Sequence, residues 1–106
     1  MNSEKFLTNV MNTFKCAYMT LEKKSQDYSG DEDPFKNFRL CESAGIVSAE
    51  EGILVRMFDK MGRVSNLIKQ LQTPKVNESI EDTLMDLINY SAILIAYREA
   101  KNGSEK

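Results

Sequence analysis

The sequence predicts an all-α fold, on three observations. Apolar residues recur every three or four positions through three long segments. The only two prolines, Pro34 and Pro74, fall between those segments. No stretch of useful length alternates apolar and polar residues as a half-buried strand would. The expected architecture is three long helices plus an irregular loop, in a helical bundle completed by homo-oligomerisation. At 106 residues, the chain is expected to be a single domain over residues 1–106, with one modest core.

The first helix is expected from Ser3 to about Tyr28. Phe6, Leu7, Val10, Met11, Phe14, Ala17, Tyr18 and Leu21 carry its apolar stripe, and Asn2 or Ser3 caps it. The next stretch, "SGDEDPFKNFRLCESAGIV", is rich in turn formers and reads as a loop with room for a short helix. "SAEE" then forms a capping box, Ser48 at the N-cap and Glu51 reaching back. The second long helix continues through Leu54, Met57, Phe58, Met61, Val64, Ile68 and Leu71 until "QTPKVN" stops it. Arg56, Asp59, Lys60, Arg63 and Asn66 gather on its other side, within an arc of roughly 120°. Asn77 is the expected cap of the third long helix, with Glu78, Glu81 and Asp82 at its positive end and Gly103 as its stop.

Composition excludes several chemistries. Apolar residues are 42% and charged residues 28%, a globular balance, and the net charge of −2 provides no basic field for a DNA or RNA polymer. Histidine is absent, which removes imidazole general-base catalysis, Ser-His triads and His-ligated zinc. Cys16 and Cys41 have no CxxC partner and read as reduced thiols. The start "MNSEKFLTNV" lacks a secretory pattern, and Asp86 and Asn89 interrupt the last apolar run. A cytoplasmic location without membrane contact is expected, in the host cytoplasm if the chain is phage-encoded. Glycine-rich phosphate loops of the Rossmann or Walker type are also absent.

The third long helix poses the functional question. Ile80, Leu84, Leu87, Ile88, Ser91, Leu94 and Ile95 make one face, and Asp82, Asp86, Asn89 and Ile93 the other, with Tyr90 and Tyr97 alongside. A helix apolar on most of its circumference is buried on two sides, which points to a second chain and at least a dimer. Carboxylates on such a helix need compensation, because each unpaired buried charge costs several kcal/mol. Arg56, Lys60 or Arg63 could pair with them. Alternatively, Glu78, Asp82 and Asp86 at i+4 steps, with Asp59, could hold Mg2+, a cation that takes hard oxygen ligands and bridges to phosphates.

Three blocks in order, "KSQDYSGDEDPFKNFR", "GILVRMFDKMGRVSNL" and "NESIEDTLMDLINYSAILI", resemble nucleotide modification associated domain 1, from about Lys24 to Ile95. Members of that family are common in phages and bacteria, beside nucleotide-metabolism genes. The last block is also similar to the all-α nucleotide pyrophosphohydrolases of the MazG-like and dimeric dUTPase-like kinds. Those enzymes use carboxylates on two helices to hold magnesium and release pyrophosphate from a nucleoside triphosphate. Here Asp59 is the only acid in "RMFDKMGR", and Thr83 stands three residues before Asp86, where those enzymes carry Glu.

The resemblance implies a nucleotide-binding protein, most simply a magnesium-dependent pyrophosphohydrolase-like one. Asp59, Asp82 and Asp86 would hold metal, Asp86 would also serve catalysis, and Glu78 would orient water. Lys24, Lys36, Arg39, Arg56 and Lys60 are the candidate phosphate contacts, and Asn89 and Tyr90 the candidate base or sugar contacts. Each has a structural alternative: ion pairing for Asp86, an interhelical hydrogen bond for Asn89, packing for Tyr90. Phe35 and Phe38 suit either a base or the anchoring of a long loop, and Asp27 and Tyr28 either cap the first helix or line a cleft. The competing function is a non-catalytic binder that sequesters a nucleotide or cyclic-nucleotide signal, since binding requires cations more than metal.

Overall fold

A computed structural model describes residues 1–28, 35–70 and 79–103, without the side chains of residues 26–28. All regular structure in these residues is helical: α1 (Ser3–Tyr28), α2 (Lys36–Ser43), α3 (Ala49–Lys69) and α4 (Ile80–Lys101). The three long helices lie where periodicity placed them. The stretch read as a loop with room for a short helix contains one, α2, which makes four helices among the described residues.

Local chemistry fixes the ends. Asn2 caps α1, its Oδ1 accepting from the Lys5 amide at 2.8 Å. The capping box of α3 is complete: Ser48 Oγ accepts from Glu51 N at 3.1 Å, and Glu51 Oε1 accepts from Ser48 N at 3.0 Å. Those backbone and hydroxyl hydrogen bonds hold the Glu51 carboxyl below its ordinary pKa. The cap of α4 is Ser79, correcting the expected Asn77. Ser79 Oγ accepts from Asp82 N at 3.0 Å, so the helix starts at Ile80. Gly103 follows the last turn at φ 75°, a left-handed value that glycine adopts without a Cβ clash.

Helix α4 is the organising element. α3 runs antiparallel along it, tied at its middle by Lys60 to Asp86 and at its start by Glu50 to Arg98 and Lys101. α1 crosses α4 where Ala17 is 1% exposed, the small side chain that lets the two backbones approach. There Asn89 Nδ2 donates to the Ala17 carbonyl at 3.0 Å. α2 packs on α3, while α1 and α3 each meet α4 and not one another among the described residues.

Ala49, Ile53 and Tyr97 form the buried centre, with Phe35, Phe38, Met57, Tyr90, Ile93 and Leu94 packed around it. The Phe35 and Tyr97 rings meet edge to face at 5.3 Å. Thus α1 and α3 of the same chain cover two sides of α4, the cover that its apolar circumference had assigned to a second chain. Its third side keeps Leu84 and Ile95 exposed.

Candidate functional site

Between α1, α2 and α4, with Arg56 of α3 on its edge, lies a cleft of about 670 Å³. Its wall is built from the residues upward. Helical spacing on α1 brings Tyr18, Leu21 and Ser25 to one edge, and the same spacing on α4 brings Tyr90 and Ile93 to the floor. Phe35 and Phe38, at the start of α2, close the far side. Phe38 stands edge to face with Tyr90 at 6.5 Å, so the loop anchors and the cleft wall are the same side chains. Tyr18 is 61% exposed and makes no ring contact among the described residues, leaving its face open to the cleft.

Two cations reach this space. Arg56 lines it and has no ion pair among the described residues. Lys24 lines it too, and its Nζ lies 3.4 Å from Asp86 Oδ1. The second Asp86 oxygen accepts from Lys60 Nζ at 2.9 Å. Asp86 therefore links α1 to α3, whose backbones do not meet among the described residues. Burial pushes its carboxyl upward, and the hydrogen bond from Lys60 with the fields of Lys24 and Lys60 more than reverses this, leaving the pKa below the usual 3.8.

The other candidate residues divide by location. Asp82, expected beside Asp86 in an enclosed space, is exposed. It lies in the first turn of α4, where a carboxylate needs no protein partner to be favourable. Asp59 is exposed on α3. Among the described residues no three acidic or thiol side chains stand close enough to hold a metal ion. Asp59, Asp82 and Asp86 thus form no shared site, and Glu78 lies outside the described residues. Thr83, three residues before Asp86, is fully buried, and its hydroxyl donates to the Ser79 carbonyl at 3.3 Å. Among the described residues the carboxylates do not come together as a magnesium site.

Asn89 is committed to the α1 crossing and Lys60 to Asp86, so neither is available to a nucleotide without breaking a contact of the fold. The Arg39 guanidinium stacks over Phe35 and Tyr97, at 5.6 and 5.9 Å from their centres. Lys36 is exposed and outside the lining. The structure brings together Lys24, Arg56 and Tyr90 of the candidate set. The side chains of Asp27 and Tyr28 lie outside the described ones.

Tyr18, Leu21 and Asn37 line the cleft without having been singled out in the sequence. Tyr18 belongs to a regular apolar stripe, and spacing alone does not separate a stripe residue that packs from one that borders a cavity. No helix among the described residues is long and apolar enough to cross a membrane.

Fold and cleft together define an all-α helical protein whose antiparallel α3–α4 pair carries an aromatic cleft rimmed by cations. The model of the family described as nucleotide modification associated domain 1 matches residues 49–96, from the start of α3 to near the end of α4. The resemblance seen in the sequence thus holds over these two helices, and its first block, including Lys24, lies outside the match. Neither a curated protein nor a solved structure matched the chain.

Proposed function

We propose that the protein binds a nucleotide in the cleft between α1, α2 and α4 and holds it without metal-dependent hydrolysis. The observation carrying this reading is the pairing of aromatic walls with Lys24 and Arg56 at the edge of a cavity of about 670 Å³. Such a volume suits a small ligand of nucleotide size. A base is apolar on its faces and stacks on tyrosine, while its phosphate requires cations. Tyr18 supplies the open ring. Arg56 supplies a planar guanidinium able to take two phosphate oxygens, and Lys24 a mobile point charge. The match to nucleotide modification associated domain 1 over residues 49–96 supports a ligand drawn from nucleotide chemistry.

Phosphoanhydride hydrolysis by the magnesium route requires carboxylates that hold a cation and a water. The described carboxylates are dispersed, and the enclosed one, Asp86, is already matched by two lysines. Sequestration therefore accounts better for the site than cleavage does. The homo-oligomer expected from the sequence remains a proposal, supported by the many large apolar side chains that the fold leaves uncovered.

Calorimetry with a panel of nucleoside mono- and triphosphates and cyclic nucleotides, in EDTA and in magnesium, tests the reading. Binding that survives chelation, with no pyrophosphate released at equimolar protein and triphosphate, is expected. Magnesium-dependent pyrophosphate release, or no binding to any member, overturns it.

A further inference from the structure

Asn37 is the one carboxamide among the described lining residues of the cleft. It stands at the second position of α2, between Phe35 and Phe38, whose rings dock edge to face on Tyr97 and Tyr90. Those two contacts fix the backbone that carries it. Local structure gives no reason for an asparagine there. Asparagine is a weak helix former, favoured at a helix start when its side chain caps, yet α2 has no side-chain cap hydrogen bond. Asn37 is exposed, and its carboxamide makes no hydrogen bond to a described residue, whereas Asn89 commits its amide to the Ala17 carbonyl. The contacts with α4 also order the cleft along its length. Lys24 lies level with Asp86, Phe38 with Tyr90 and Phe35 with Tyr97. At the helical rise, Tyr90 and Tyr97 stand roughly 6 and 16 Å beyond Asp86. Arg56 falls between Ile53, which packs with Tyr97, and Lys60, which pairs with Asp86. Cations therefore hold the Asp86 end and the middle, and Asn37 lies toward the Tyr97 end.

We propose, on the basis of that nucleotide reading of the cleft, that Asn37 is its specificity residue, pairing its carboxamide with the edge of an adenine base whose phosphate lies on Lys24 and Arg56. The other polar groups of the lining do not choose a base. Ammonium and guanidinium groups only donate, and a tyrosine or serine hydroxyl turns to donate or accept as its partner requires. A carboxamide holds a donor and an acceptor side by side in one plane. Adenine presents the complement on both edges that face away from the sugar, its N6 amino group beside N1 on one and beside N7 on the other. On guanine the N7 edge carries two acceptors, O6 and N7, and takes the donor alone. The rings of Tyr18 and Phe38 meet the face of the base, and Asn37 meets its edge. Because Asn37 is exposed, a base without the amino group leaves it hydrated and not buried without a partner. Discrimination is therefore about 5- to 10-fold, that of one net hydrogen bond, and far below that of an enclosed polar site.

Calorimetry in EDTA compares adenosine monophosphate, guanosine monophosphate and purine riboside monophosphate, the last lacking only the amino group of adenosine. The wild type is expected to bind the adenine probe about 5- to 10-fold more tightly than the purine probe, and more tightly than the guanine probe. In Asn37→Ala the adenine-to-purine ratio falls to about 1, through weaker binding of the adenine probe alone. Alanine favours a helix at this exposed position, so the variant folds, as circular dichroism and the urea midpoint verify. A residue that only shapes α2 would weaken all three probes together, and a uniform loss with an unchanged ratio overturns the assignment. An adenine preference retained by Asn37→Ala, a wild-type ratio near unity with both probes bound, or a guanine probe bound as tightly as the adenine one also overturns it. Those results leave the nucleotide cleft standing. Binding of no nucleotide at all removes the cleft reading itself, and base recognition with it.

Discussion

Replacing Asp86 with Asn separates the roles a carboxylate can have on α4. In the wild type its oxygens lie 2.9 Å from Lys60 Nζ and 3.4 Å from Lys24 Nζ, with side-chain exposures of 16%, 19% and 53% respectively. The substitution keeps shape and removes charge. Lys60, the more enclosed lysine, loses its counter-ion at a cost of about 1–2 kcal/mol. The more exposed Lys24 pair adds at most about 0.5 kcal/mol after allowance for solvent screening. The expected destabilisation is about 1–2 kcal/mol, read as a lower urea midpoint with unchanged slope.

Binding should move in the opposite direction. Lys24 borders the cleft, and without Asp86 its charge is free for phosphate, so nucleotide affinity rises about two- to fivefold, corresponding to an ion pair of up to about 1 kcal/mol. An unphosphorylated nucleoside gains nothing. A metal-holding or catalytic carboxylate requires the reverse, and lost affinity for phosphate ligands in a folded Asp86→Asn protein would refute the counter-ion reasoning.

The sign of the pH dependence follows from the same contacts. The folded Asp86 pKa is depressed, so its stabilisation is complete above the ordinary carboxylate value of 3.8 and is lost as pH falls through the lower folded value. The stability gap between wild type and Asp86→Asn is therefore constant from pH 5 to 7 and shrinks below about pH 4.

Other substitutions test other parts of the structure. Arg56→Gln, at an exposed position without an ion pair among the described residues, should weaken nucleotide binding about 10-fold while shifting stability by less than about 0.5 kcal/mol, measured by calorimetry and urea titration. Asn89→Ala removes the side-chain hydrogen bond to the Ala17 carbonyl and should destabilise by about 0.5–1.5 kcal/mol; a neutral result in thermal unfolding would contradict the proposed locking of the α1 crossing. Ser79→Ala removes the α4 cap and should cost about 1 kcal/mol by urea titration, against no comparable effect for Asn77→Ala.

Much of the secondary structure was legible because it depends on neighbours in sequence. The 3–4 spacing of Phe6 through Leu21 required a helix whatever it packed against, and the hydrogen bonds of "SAEE" close within four residues. The α4 cap was misplaced for a related reason: Asn77 and Ser79 are both good caps, and the choice depends on where the helix finds its packing. The short α2 has no side-chain cap and few turns, so its stability comes from Phe35 and Phe38 docking on Tyr97 and Tyr90, residues more than fifty positions away.

The sequence by itself determined that the chain is helical, which face of each long helix is apolar, and that Asp86 would need compensating charge. Only the tertiary structure decided which cations supply it, since Lys24 and Lys60 come from helices that meet α4 at different places. It also decided that Asp82 is exposed, that Asn89 holds a carbonyl, and that Tyr18, Phe38 and Arg56 share one cleft. A helical repeat gives the direction of a side chain around its own axis; what that direction faces depends on how the axes cross.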